Sequence, residues 1–338
     1  MRVFTVVLAA TLFLSGCSNA DKGPDVSAVK INLSTERFEK RLFDTTAASL
    51  SQYLQRLQNA NPGFTAIYLR KILGADPQWP ADSTANYVNG FINAFRTVYN
   101  DTEKKIPDFS VYEKEIHHGL QLVKYYFPAY KLPEKIITYI GPPDGFGAII
   151  ANEGLLIGLH NYLGKDYPLY KTEMVNQIYP EYISQRFEPE YIPVNCMKTI
   201  INTDLYPDKE SDQPLINQMI EKGKQLYLLQ KFLPTTDEYK LIGYKKEQLK
   251  DCYDHEAVIW DLFTKNSMLQ TTDKNIIKNF VDEGPKTQEL GEGSPGNVGS
   301  FTGWQIIKKY IQKNPTTTPQ QLIALDAETI FQAAKYKP

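Results

Sequence analysis

The chain is poor in the residues on which most enzymes depend. Among its 338 residues are three cysteines and four histidines, at positions 117, 118, 160 and 255. Histidine is the usual general base near neutral pH and the commonest metal ligand, so imidazoles this few must be well placed to matter. They are not. A two-histidine zinc hydrolase needs imidazoles four residues apart on one helix, with a glutamate after the first. His255-Glu256 begins that pattern, but Ile259 stands where the second imidazole belongs. His117 and His118 are adjacent, so an ideal helix sends them to different faces and they cannot chelate one ion. His160 ends a strand-like run without a partner at metal spacing. Each histidine reads as a surface or capping residue.

Other absences narrow the field further. No Gly-x-Ser-x-Gly elbow occurs, which removes the usual serine hydrolase design. The glycine-rich stretch GEGSPGNVG (291–299) lacks the preceding strand and following lysine of a phosphate loop. Cys196 falls in the middle of a helical pattern with no base beside it. Glu113 with Glu115, and Asp251, Asp254 and Glu256, are groupings that any solvated helix face carries. The 37 basic residues are balanced by 39 acidic ones, and without a basic stripe nucleic acid is not an expected partner. No apolar run reaches the roughly 20 residues that a membrane-spanning helix requires.

What the chain does have lies first at its start. MRVFTVVLAATLFLSGC places Arg2 ahead of a short apolar run from Val3 to Leu14, followed by Ser15, Gly16 and Cys17. A basic start and a short apolar run make a secretion signal, and small residues directly before a cysteine make a lipobox. Residues 1–16 therefore read as a lipoprotein signal peptide. Cys17 is the expected lipidation site, taking diacylglycerol and palmitate-type acyl chains. Each buried methylene contributes ~0.8 kcal/mol, so two or three chains anchor a protein stably. Residues 17–28 read as the lipidated cysteine and a tether, because SNADKGPDVSA has no periodicity. Residues 29–338 read as the folded domain. Cys196 and Cys252 either pair in an oxidising envelope or persist as two buried thiols.

Along the rest of the chain, helical spacing dominates. VKINLSTERFEKRLF starts as a strand and turns helical near Thr35, a candidate cap before Glu36. SLSQYLQRLQNAN, STANYVNGFINAFRTVYN (capped by Ser83) and FSVYEKEIHHGLQLVKYYF are amphipathic. Then IITYIG, FGAII and GLLIGLHNYL, short and isoleucine-rich, are separated by turn signals and read as strands. Helical spacing returns in YIPVNCMKTII, entered through Pro193, and continues to the C-terminus. It is interrupted by a surface loop over residues 286–300. The expected fold class is α+β, a predominantly helical body around a small sheet. The 22 tyrosines fall at helical apolar spacing, which favours packing over sugar stacking.

The lipobox followed by VKINLSTERFEKRLFD, then GLLIGLHNYLGKDYPLY, MIEKGKQLYLLQKFLP and GSFTGWQIIKKYI in this order resemble the GldB family, gliding motility lipoproteins of the Bacteroidetes. The landmarks are Tyr162-Leu163-Gly164 with Asp166 and Pro168, Gly223 with Tyr227, and Gly303-Trp304 with Tyr310. The resemblance implies a lipid-anchored cell-envelope protein facing the periplasm. It would serve gliding motility or its secretion apparatus through other envelope proteins of that machinery, with no cofactor. Strands followed by a helix and a glutamate-bearing helix are also similar to a degenerate zincin layout. In that register Asn195-Cys196-Met197-Lys198-Thr199 occupy the HExxH positions and Glu221 the third-ligand position. Both imidazoles and the base are missing, and a lysine stands where a cation would be repelled. Non-catalytic function is therefore the expectation. The alternative is a metal-dependent hydrolase built around Glu221, His160 or His255.

Overall fold

Four short strands form one sheet, three of them apolar and the first, Ser-Thr-Glu-Arg, polar at its edge. They are β1 (Ser34–Arg37), β2 (Lys135–Tyr139), β3 (Ala148–Ala151) and β4 (Gly154–Gly158), in the order β1-β2-β4-β3. The computed structural model describes residues 23–145, 147–208 and 212–338; Cys17 and the expected signal segment lie outside them. β1, β2 and β4 run parallel, and β3 returns antiparallel along β4. Central parallel strands are covered on both faces. Accordingly Ile136, Ile137, Tyr139, Leu155, Leu156 and Ile157 are fully buried. Parallel neighbours need a long crossover, and the helices between β1 and β2 provide it.

The last of those crossover helices is α1 (Ser110–Tyr126). After the sheet come α2 (Ile192–Ile200), α3 (Leu215–Phe232), α4 (Lys274–Val281), α5 (Val298–Lys313) and α6 (Ala327–Ala334). Helix α2 lies on β3 and β4 with α1 beside it, while α3 packs on α1, α2, α4, α5 and α6. The pair α3–α5 approaches most closely, because glycines stand at the crossing. A Cβ on Gly223 would sit 2.4 Å from the Gly303 carbonyl, and one on Gly303 1.7 Å from Met219 O. One apolar cluster runs from Val26 to Tyr336. The fold is α+β and mostly helical, as its periodicities imply.

Several boundaries differ from the local signals. Thr35 stays extended, because β1 pairs it with Ile136, and the helix begins only at Phe38. Sheet pairing outweighs the capping signal there. Ser83 lies exposed inside the first turn of a helix that starts at Ala81 behind Pro80. The run from Lys246 to Lys265 is two helices, broken at His255. Residues Val298 to Ser300, expected in a surface loop, form the buried first turn of α5. The end of the expected tether is packed as well. Val26 is buried, and Gln121 Nε2 of α1 donates to Val26 O at 3.2 Å and Val29 O at 2.7 Å.

Candidate functional site

Beyond Ile200 the helix widens into a π-helical turn, Ile201–Leu205, closed by Tyr206 N–H on Ile201 O at 2.7 Å. Such turns are rare and concentrate at functional sites. Here Lys198 and Asn202, four residues apart, both face a cavity of about 300 Å³. Helix α3 contributes Lys222, Gln225 and the apolar Leu226 and Leu229 to its walls. The opposite side is formed by Val281, Asp282 and Glu283 at the end of α4, with Asn297 and Ser300 at the start of α5. A second cavity of about 760 Å³ adjoins it, sharing Lys222, Val281 and Asp282 and reaching Glu221 and Asp326.

Most charges in this cleft are already matched. The Arg186 guanidinium grips Glu283 with two hydrogen bonds of 2.7 and 2.6 Å. Partial burial would raise the Glu283 carboxyl, but Arg186's hydrogen bonds and charge, helped by Lys198 and Lys222, hold it down to about 2. Lys222 Nζ reaches both oxygens of Asp208 at 2.6 and 2.7 Å, and Gln225 donates to the same carboxylate at 2.8 Å. Lys198 differs. Among the described residues its ammonium has neither a hydrogen bond nor an ion pair. Burial in the cleft lowers it to about 8, against the favourable charge of Glu283. Asn297 is also unmatched. It is 8% exposed, holds the left-handed conformation (φ 46°), and its Oδ1 has no partner among the described residues.

The expected HExxH register does not line this cleft. Asn195 Nδ2 donates instead to the Tyr162 hydroxyl at 2.9 Å. Cys196 and Met197 are fully buried in the core. Of that pentapeptide only Lys198 reaches the cavity, joined by Asn202 one turn on. Glu221 is committed to a structural network: it accepts from the Tyr206 hydroxyl and from Lys224 at 2.8 Å. The fully buried Lys224 also donates to Leu325 O at 2.7 Å, so this lysine staples α3 to the chain just before α6.

Histidine placement corrects one expectation. His160 is neither on the surface nor a cap; it is 1% exposed. Its Nδ1 accepts from Gly141 N–H at 3.0 Å, which puts the ring proton on Nε2. Nε2 has no partner among the described residues, and burial pulls the imidazole down to about 3. The apolar run GLLIGLHNYL around it was the available signal of burial. His255 is exposed and bonds Asp251 O at 2.9 Å, a capping role as expected. His117 and His118 sit half-buried and exposed on α1. Cys196 and Cys252 are buried free thiols. Among the described residues no group of three or more His, Cys, Asp or Glu side chains is arranged to hold a metal ion, and no helix is long and apolar enough to cross a membrane.

Arg186, Lys222, Glu283 and Asn297 were not singled out by sequence reasoning, because they are scattered over more than a hundred residues and carry no shared spacing. One hint existed for Asn297: a Pro-Gly-Asn run before a helix is where a left-handed residue is expected. A family model described as "Gliding motility protein GldB" matches residues 19–338. No curated protein matches the chain, and no solved structure does.

Proposed function

From the premise that the chain belongs to the GldB family of gliding motility proteins, we propose that it is a cell-envelope lipoprotein anchored through Cys17. In this reading it serves the gliding motility or associated secretion apparatus by contacting other envelope proteins, and carries out no catalysis of its own. The observation that carries the reading is a lipobox cysteine at position 17 joined directly to a family match that begins at residue 19. The cleft is in keeping with this reading, since the two side chains that α2 and the turn after it present to it four residues apart are an ammonium (Lys198) and an amide (Asn202), and neither is an imidazole.

The test is the Cys17→Ala variant expressed in a strain deleted for the native protein. It should fold, leave the membrane fraction and fail to restore gliding or secretion. Full restoration by a demonstrably soluble form would remove the anchor from the mechanism. Crosslinking in intact envelopes should recover partner proteins with the wild type and lose them with Cys17→Ala. Stoichiometric zinc in the purified protein, lost on Glu221→Ala, would replace this reading with a hydrolase.

A further inference from the structure

We propose that the cleft between α2, α3 and the head of α5 is a binding site for a carboxylate with an N–H donor close by, the grouping at the end of a peptide or in an N-acylated amino acid. The inference goes beyond the lipoprotein reading and does not depend on it. Three observations carry it. Lys198 offers a single positive charge without a partner among the described residues, inside a cavity of about 300 Å³, a volume at the lower end for small-ligand sites. The neighbouring Glu283 and Lys222 are committed to Arg186 and Asp208, which leaves Lys198 as the cation able to receive an anion, while the exposed Asp282 carboxylate at the rim balances the overall charge. The Asp282 and Glu283 carboxylates on the same wall disfavour a dianion such as phosphate.

The third observation sets the ligand's other polar group. Asn297 precedes α5 but makes no side-chain cap hydrogen bond, and its Oδ1 is buried and unsatisfied while lining the cavity. A buried acceptor without a donor is costly, and a ligand N–H supplies one. The sixteen-residue helix behind it adds positive potential from its N-terminus. Leu226, Leu229, Ile201 and Ile242 form an apolar wall suited to an aliphatic side chain next to the carboxylate.

Isothermal titration of the detergent-solubilised full-length lipoprotein tests this. The probes are N-acetyl-Ala-Leu as the free acid, the same dipeptide with an amidated end, N-acetyl-leucine, acetate, and inorganic phosphate. The free acid should bind at least tenfold more tightly than the amide, and phosphate more weakly than either acid. Lys198→Met should weaken the acid tenfold or more. Asn297→Gly, which keeps the left-handed backbone, should weaken the acid and leave acetate unaffected. Tighter binding of the dipeptide than of N-acetyl-leucine assigns the site to peptide ends, and equal binding to small acids; both uphold a carboxylate site. Equal binding of acid and amide by the wild type, no binding of either at millimolar concentration, or preference for phosphate overturns the proposal. These three outcomes need no variant to fold.

Discussion

At the scale of single residues, His160 shows how burial decides chemistry. Its ring is packed between Tyr139, Ile72 and the Gly141–Gly145 turn, and no carboxylate is bonded to it. A proton on the folded imidazole would therefore be poorly solvated, and the ring stays neutral down to about pH 3. The unfolded ring takes up a proton below its ordinary value of 6.5. A depressed folded-state value makes this contribution complete above about pH 6.5, and it falls by about 1.4 kcal/mol per pH unit as the pH drops toward 3. Between pH 7 and 4.5 the wild type should lose about 3 kcal/mol more stability than His160→Gln loses over the same interval. Urea unfolding at the two pH values measures this; equal losses would show that the ring is not held neutral. The buried Lys224, by contrast, is matched on every side, donating to Glu221, the Tyr206 hydroxyl and Leu325 O. Neither environment could be read from the residue names. Only that of His160 was foreshadowed, by the apolar run GLLIGLHNYL around it; Lys224 sits among Glu221, Lys222, Gly223 and Gln225.

At the scale of elements, the α3–α5 crossing is the tightest constraint. Gly223 and Gly303 let two backbones meet, and the space for a Cβ at Gly303 is already occupied by Met219 O. Gly303→Ala must push the helices apart, and with them the α3 wall of the cleft. A loss of at least about 3 kcal/mol, or failure to fold, is the expected outcome. Gly90 is the control. It lies within the Ala81–Ala94 helix, and a methyl group added there would meet nothing within 4 Å, so Gly90→Ala should stabilise by about 0.5–1 kcal/mol. Denaturant midpoints of the two variants should move in opposite directions; a destabilised Gly90→Ala beside a tolerant Gly303→Ala would contradict the packing described. The family landmarks Gly223, Gly303 and Trp304 thus mark a helix junction. Trp304 is fully buried there, with Lys308 Nζ 4.0 Å from its ring centre. The principal helices and strands β2 to β4 were legible from periodicity, whereas β1, the polar Ser34–Arg37, was not, since the strand signal lay on the residues before it. The element ends at Thr35 and Ser83 were not legible either, because sheet pairing and a preceding proline outrank a side-chain cap.

At the scale of the whole molecule, Cys196 and Cys252 are far apart in sequence, buried and unpaired. Burial raises both thiols, Cys252 to about 12 and Cys196 further, so neither supplies thiolate at neutral pH. In the Cys17→Ala protein, a thiol reagent should find no reactive cysteine in the native state and two after denaturation. The urea midpoint should not change with reductant. A disulfide detected by mass spectrometry in that protein would refute this. Sequence alone determined the features written in contiguous residues: the family pattern, the helical periodicity and the isoleucine-rich strands, and it holds the apolar and small-residue run on which the proposed lipidation of Cys17 rests. These follow from local chemistry and need no knowledge of what the chain folds against. Only the tertiary structure decided which side chains meet. Lys198, Lys222, Glu283 and Asn297 converge on one cleft, with Arg186 bonded to Glu283 beside it, and His160 is enclosed, because burial and electrostatic pairing depend on distances through space that sequence order does not contain.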